Sequence, residues 1–138
     1  MNPAFTGGCA CGAVRYSVPS EPLAMFDCQC RQCQYESGTG HSSHLNFTAE
    51  GVEKSGEIGV WRSRGEGGML KERAFCVACG CPVFMTFPDA PDYFLVRAGS
   101  LDDPGRFTPQ FVTWADAGHP WDAHPQGVSK FARMPPST

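Results

Sequence analysis

Short runs of β-branched, aromatic and other apolar residues recur along the chain, and turn-forming residues bound each run. Such runs are typical of β-strands. The clearest is YFLVRAGSL (93–101), which follows the turn-forming PDAPD. Seven further segments predict strands by the same criteria: GAVRYSVP (12–19), LAMFDCQC (23–30), HSSHLNFTAE (41–50), GVWRSR (59–64), LKERAFC (70–76), PVFMTF (82–87) and TPQFVTWAD (108–116).

One segment, CRQCQYESG (30–38), predicts a helix of about two turns that ends before Gly38. The 16 glycines and 12 prolines favour short strands and turns. A length of 138 residues is that of one domain. We therefore expect a single, mainly β domain across residues 1–138, with an ordered core from about residue 5 to 133 and a frayed tail, MPPST.

Composition and charge exclude several classes of protein. A net charge of −3 argues against a nucleic-acid-binding module, which usually carries a basic patch. There is no apolar run of membrane-spanning length, and MNPAFTGGCACGAVRY does not have the pattern of a signal peptide. We therefore expect a cytoplasmic protein, in which disulfides are rare. The eight cysteines are then expected to bind metal or to react.

Seven of these cysteines fall into three closely spaced groups. The groups are Cys9 and Cys11, then Cys28, Cys30 and Cys33, then Cys76 and Cys79. The last pair has the CxxCG spacing of a zinc knuckle, in which backbone N–H groups of the turn point at both sulfurs and Gly80 adopts the left-handed conformation. Isolated buried thiols would not need this clustering, so the spacing indicates zinc.

Zinc takes four protein ligands in a structural site and three in a reactive one. One division of the seven thiols makes Cys9, Cys11, Cys76 and Cys79 a closed site and leaves Cys28, Cys30 and Cys33 with an open position. A rival division joins Cys9 and Cys11 to two of the central three. Spacing alone does not choose between them.

Five stretches occur in the order seen in one protein family: GGCACGAVRYSV, DCQCRQCQYESG, FCVACGCPVF, RAGSLDDP and FVTWADAGHPWDAHPQGVSKF. Through them the chain resembles the glutathione-dependent formaldehyde-activating enzymes, a family that includes centromere protein V, from about Gly7 to Phe131. The resemblance implies a β-tent of small antiparallel sheets stapled by zinc. It also implies the reversible formation of S-hydroxymethylglutathione from formaldehyde and glutathione, a carbon–sulfur lyase activity.

The resemblance implies the first division of the cysteines as well. A structural zinc would lie on Cys9, Cys11, Cys76 and Cys79, and a catalytic zinc on Cys28, Cys30 and Cys33. The chain departs from many relatives where they have a serine or threonine at Cys81, a histidine at Val112 and basic residues at Gln34 and Tyr35. We expect these departures near the pocket, where they would bear on the substrate.

The chemistry of an open three-thiolate site makes physical sense. Zinc can hold an incoming thiol as thiolate or polarise a carbonyl. Three thiolates leave a Zn²⁺ site with a charge of −1, which weakens it as a Lewis acid. A nearby cation would offset that charge, and Arg31 is the candidate, although it can equally be a solvated turn residue.

Four aromatic side chains near these motifs have two interpretations each. His41 and His44 can supply a fourth ligand or move a proton, but histidines in such a segment are more often surface or hydrogen-bonded residues. Trp114 and Trp121 can line a pocket mouth, but aromatics in a small β domain usually lie in the core. For Cys81 we expect an inert, small packing residue rather than a spare reactive thiol.

Two other function classes remain open at this point. One is a non-catalytic zinc-binding module whose sites are all closed, and the other is a zinc carrier or thiol sensor. The enzyme hypothesis, with two zinc ions per chain and glutathione as the default small-molecule thiol, gives the open position a use. It also predicts that the second zinc is the more easily lost, because its thiolates are the more accessible to oxidation.

Overall fold

The computed structural model describes residues 3–135 and is built mainly of β-strands. Within that range there are eleven strands, one α-helix and three short 3₁₀ turns. The strands are β1 (Phe5–Gly8), β2 (Arg15–Val18), β3 (Ala24–Cys28), β4 (Ser42–Thr48), β5 (Glu53–Ser55), β6 (Ile58–Arg64), β7 (Leu70–Cys76), β8 (Pro82–Thr86), β9 (Tyr93–Arg97), β10 (Phe111–Thr113) and β11 (Ser129–Lys130), and helix α1 spans Arg31–Ser37.

Eight strands form the larger sheet, in the order β11-β10-β3-β4-β9-β8-β7-β6. Neighbours from β3 to β6 pair antiparallel, whereas β10 pairs parallel with both β3 and β11. The central strands β4 and β9 bury Leu45, Phe47, Phe94 and Val96 almost completely. The sheet therefore carries most of the core along its middle strands.

A smaller sheet, in the order β1-β2-β5, packs against this core. Phe5 of β1 meets Phe47 edge-on with ring centres 5.2 Å apart, and Tyr16 of β2 meets Phe94 at 6.0 Å. Edge-to-face packing is a preferred geometry for aromatic pairs and adds to the stabilisation from their burial. These two contacts tie the sheets together.

The predicted mainly β fold is confirmed, and each of the eight predicted segments contains a strand. Helix α1 is also found, and it ends at Ser37, just before Gly38, which has φ +76° and donates its N–H to the Gln34 carbonyl oxygen at 2.9 Å. The sequence pattern missed β1, β5 and β11. Of the predicted frayed tail, residues 136–138 lie outside the described part of the chain.

Within residues 3–135, no helix combines the length and the apolar character needed to cross a membrane.

Candidate metal centres and cavity

The first cysteine cluster joins the turn after β1 to the turn after β7. The sulfurs of Cys9, Cys11, Cys76 and Cys79 all lie within 4.8 Å of one another. The Cys9–Cys11 sulfur distance is 3.6 Å and the Cys11–Cys76 distance is 3.7 Å. A tetrahedral site with zinc–sulfur bonds of about 2.3 Å has sulfur–sulfur edges of about 3.8 Å, so this donor set fits zinc.

Backbone N–H groups point at the sulfurs of this cluster. Val14 donates to Cys9 Sγ at 3.2 Å, and Ala78 and Cys79 donate to Cys76 Sγ at 3.3 and 3.4 Å. Backbone hydrogen bonds, from Cys81 first and then Cys11, lower the pKa of Cys79 to about 6. At Cys79, the turn thus favours the thiolate form that a metal requires.

Gly80 completes this turn. It has φ +77°, and its N–H donates to the Cys76 carbonyl oxygen at 2.8 Å. A side chain would be strained in that conformation, which explains the glycine of the CxxCG motif.

The second cluster forms where β3 runs into α1. Cys28 ends the strand, Cys30 is the N-cap of the helix, and Cys33 lies in its first turn. Their three sulfurs lie within 4.8 Å of one another. The backbone N–H of Cys33 donates to Cys30 Sγ at 3.3 Å, so the capping interaction also fixes one candidate ligand.

Without a bound cation, the three thiols of this cluster do not all favour the deprotonated form. Hydrogen bonds from Cys28 and Cys33 lower the pKa of Cys30, whereas contacts with Cys28 and Cys30 raise the pKa of Cys33. One thiolate is therefore stabilised at the expense of the others. A divalent cation would stabilise all three, so the donor set fits a metal ion.

The seven clustered cysteines are thus brought together as four and three. Among the described residues, Cys9 and Cys11 do not join the central cysteines, so the rival grouping is not formed. Cys81 belongs to neither group of candidate ligands: it hydrogen-bonds to Cys79 at the edge of the first cluster and packs against the hydrophobic core.

A cavity of about 460 Å³ opens beside the three-cysteine cluster. This volume is in the range of small-molecule sites. All three cysteines line it, together with apolar and basic side chains from several strands and the segment after β10. The most relevant are Phe26, His44, Arg64, Lys71, Arg73, Met85, Phe87, Leu95 and Trp114.

His44, on β4, lies against the cluster. Its Nε2 is 3.7 Å from Cys33 Sγ, and its Nδ1 is buried with no hydrogen-bond partner. Burial, and then the charges of Arg97 and Lys71, hold the pKa of His44 well below 6.5, so the ring is neutral. If Nε2 carries the proton, its N–H donates to Cys33 Sγ and Nδ1 is an unprotonated acceptor. This tautomer avoids burying an unpaired N–H group.

Lys71 lies at the cavity beside the cluster, whereas Arg31 lies on the exposed surface of α1. Lys71 lines the cavity, and its charge further lowers the pKa of Cys30 after the hydrogen bonds from Cys28 and Cys33. Arg31 is exposed, donates to Gln34 Oε1 at 2.5 Å and lies over the Tyr35 ring at 4.8 Å. The geometry therefore supports the solvated alternative for Arg31. The sequence prediction overlooked Lys71 and Arg73. These two basic residues are two positions apart on β7, so both side chains lie on the same face of the strand.

The tryptophans and the departures from the family pattern fall elsewhere than expected. Trp114 lines the cavity and Trp121 is 67% exposed, so neither lies in the core. The described residues that line the cavity do not include Gln34, Tyr35, Cys81 or Val112. These four departures, expected near the pocket, therefore do not form its wall: Gln34 is buried and donates to the Gln29 carbonyl oxygen, and Val112 is buried in β10.

His41 does not reach the three-cysteine cluster. It belongs to a separate group with Asp27 and His124. The sequence pattern did not single out Asp27 or His124, because they are 97 residues apart and their proximity depends on the pairing of β3 with β10.

The structure is thus a mainly β domain with two cysteine clusters that could hold metal ions, one of them beside a cavity. The chain belongs to the glutathione-dependent formaldehyde-activating enzyme family, whose model matches residues 4–117. Membership links the protein to glutathione-dependent formaldehyde activation. A crystal structure of a Rhodobacter sphaeroides protein shares the fold, with a TM-score of 0.55 and 19% identity over 70% of this chain and 87% of that chain. The search of curated proteins gave no match.

Proposed function

We propose that the protein is a zinc-dependent carbon–sulfur lyase that makes and breaks the bond between glutathione and formaldehyde. The observation that carries the proposal is the position of the three-cysteine cluster, whose sulfurs line a cavity that also holds basic side chains. A purely structural zinc site would need four protein ligands and no adjacent cavity, whereas this cluster supplies three cysteines beside one. We further propose that the chain is one domain acting in the cytoplasm, where thiols are kept reduced.

Two zinc ions per chain fit the two donor sets. Cys9, Cys11, Cys76 and Cys79 would hold a structural ion, and Cys28, Cys30 and Cys33 would hold the catalytic ion. When bound, the catalytic ion would favour the thiolate form of a substrate thiol and polarise the aldehyde oxygen.

The cavity suits a small acidic thiol. Glutathione carries two carboxylates, and Lys71 and Arg64 are basic side chains on the cavity wall that can pair with them, although Arg64 would have to exchange its exposed ion pair with Asp89. Arg73 is less available because it is held by Glu36 and Ser63. Lys71 forms no ion pair within residues 3–135 and remains free for a ligand. With the carboxylates held on this wall, the thiol can point at the cysteines.

The apolar wall has a separate role. Phe26, Phe87 and Leu95 line the cavity beside the cysteines and exclude water from the thiol. In the forward reaction the sulfur–carbon bond forms, the carbonyl π bond breaks, and the thiol proton ends on the new hydroxyl oxygen. Excluding water favours this addition over hydration of the aldehyde.

The direct test is the exchange rate between formaldehyde and its glutathione adduct. Two-dimensional exchange NMR with ¹³C-formaldehyde measures this rate with and without the zinc-loaded protein. We expect the protein to accelerate exchange and the Cys30→Ser variant to lose the effect. An exchange rate equal to the spontaneous one, with a folded and zinc-loaded protein, would refute the lyase proposal.

A further inference from the structure

Three side chains converge on the face of β3 that points away from the cavity. Phe26 and Cys28 line the cavity, so Asp27 between them points to the opposite side of the sheet. There it meets His41, just before β4, and His124, in the segment between β10 and β11. One ligand atom from each of the three residues lies within 4.8 Å of the other two.

We propose that Asp27, His41 and His124 form a third metal site, for a divalent first-row transition-metal ion. The ligand atoms are Asp27 Oδ2, His41 Nε2 and His124 Nε2. Asp27 Oδ2 accepts a hydrogen bond from His124 Nε2 at 3.1 Å and lies 3.7 Å from His41 Nε2, so a bound ion would take the place of the proton on His124 Nε2. Bonds of about 2.0–2.2 Å to such ligands place neighbouring donor atoms about 3–3.5 Å apart, close to these distances.

A fourth residue orients one of the ligands. Asp122 lies 2.9 Å from His41 Nδ1 through either carboxylate oxygen. Histidines that bind metals usually donate their other ring N–H to a carboxylate in this way. The bond fixes the proton on Nδ1 and leaves Nε2 bare. Because Nε2 is 3.7 Å from Asp27 Oδ2, it makes no hydrogen bond there.

The remaining atoms of the site are also held. Ser43 donates to Asp27 Oδ1 at 2.5 Å, which directs Oδ2 toward the histidines. Gln29 donates to Asp122 Oδ2 at 3.1 Å. The side chains of Asp27 and His124 are only 6% and 5% exposed, whereas His41 is 27% exposed and borders solvent. Water can therefore reach the side of the site that the protein leaves open.

The charges favour a cation. Two carboxylates, Asp27 and Asp122, lie within this group, and within residues 3–135 no lysine or arginine pairs with either. Their hydrogen-bond partners are the two histidines, Ser43 and Gln29, so no permanently positive side chain balances these carboxylates, and burial of an unbalanced carboxylate is costly. Two imidazoles and one carboxylate are a donor set for zinc, iron(II), cobalt or nickel, and this set differs from the two cysteine clusters in having no thiolate.

This site is independent of the proposed lyase activity. Asp122 and His124 lie beyond residue 117, where the match to the family model ends. A bound ion would tie the segment between β10 and β11 to β3 and β4, next to Cys28.

Cobalt distinguishes this site from the thiolate clusters. Protein produced in cobalt-supplemented medium and equilibrated with micromolar free Co²⁺ is assayed for cobalt per chain and for the thiolate-to-cobalt charge-transfer absorbance. We expect His41→Gln and His124→Gln to bind one fewer cobalt per chain than the wild type, at unchanged thiolate absorbance. The unchanged absorbance would also show that the variants retain the cysteine sites. Asp122→Asn should weaken cobalt binding about 10–100-fold, as loss of an orienting carboxylate does elsewhere.

His119→Gln is the matched control. His119 lies in the same segment, bonds to Gln34 and stacks on Trp121, outside the proposed site. It should bind as much cobalt as the wild type. Equal cobalt in the wild type and His124→Gln would overturn the proposal, as would the same loss in His119→Gln. If both ligand variants misfold, proton NMR of the cobalt-loaded wild type provides the test. Cobalt bound by the histidines should give hyperfine-shifted, exchangeable imidazole N–H signals. The absence of these signals would overturn the proposal.

Discussion

Replacing Glu36 by glutamine should destabilise the protein strongly, because Glu36 neutralises two buried arginines. Its Oε2 forms an ion pair with Arg73 Nε at 2.8 Å, although the angle is not that of a hydrogen bond. Its Oε1 forms a second ion pair with Arg97 Nη2. The three side chains are only 6–9% exposed. The triad fastens α1, which carries Cys33, to β7 and β9.

The magnitude follows from this burial. Glutamine keeps the shape of the side chain but removes the charge and leaves two buried guanidinium groups unneutralised. Breaking a buried ion pair in this way costs about 3–5 kcal/mol of unfolding free energy. For a chain of this size, that corresponds to a fall in melting temperature of about 10–20 °C. Zinc retention at the three-cysteine cluster should fall as well, because α1 loses its anchor.

The assay is thermal unfolding at constant free zinc, followed by circular dichroism. The control is Glu66→Gln, which breaks the pair with Arg133, where both side chains are about 60% exposed. Exposed pairs contribute about 0–1 kcal/mol, so this variant should melt within a few degrees of the wild type. If Glu36→Gln melts no lower than Glu66→Gln, the triad does not anchor the helix and the reasoning fails.

Three further predictions concern the metal centres and the cavity. Cys76→Ala should leave the chain unfolded in circular dichroism, since a structural zinc contributes folding free energy directly. Cys30→Ala should fold and lose activity. Unfolding of both variants would refute the assignment of one structural and one catalytic site. Lys71→Met should raise KM for glutathione about 10–100-fold through loss of one charged hydrogen bond, with Arg31→Met near wild type; the reverse ranking would return the role to Arg31. A strong chelator should remove activity before secondary structure, because the three-cysteine site is incomplete; simultaneous loss would indicate equivalent sites.

Much of the fold was predictable because its determinants are local. The apolar and aromatic run in YFLVR and the helix stop at Gly38 each depend on a few neighbouring residues, and the structure has both elements. Strand β5 was not predictable, because Glu53–Ser55 is short, polar and exposed and is a strand only through its pairing with β2.

The candidate site divides in the same way. The CxC, CxCxxC and CxxCG spacings indicate the cysteine clusters because neighbouring residues supply most of their ligands. Lys71, His44 and the group around Asp27 depend on which strands pair, and no local pattern marks them. Arg31 was favoured by its proximity in sequence, but its side chain turns to Gln34 and Tyr35 on the helix surface.

The central claim is that one of two zinc sites stays open to an external thiol. The measurement is zinc per chain by elemental analysis, on protein purified under reducing conditions in the His124→Gln background, which removes the proposed third site. Zinc-edge X-ray absorption then follows the addition of glutathione. We expect two zinc ions per chain, one in Cys30→Ser, and an increase in sulfur coordination when glutathione binds. A single zinc that Cys30→Ser retains, with an absorption spectrum unchanged by glutathione, would contradict the account.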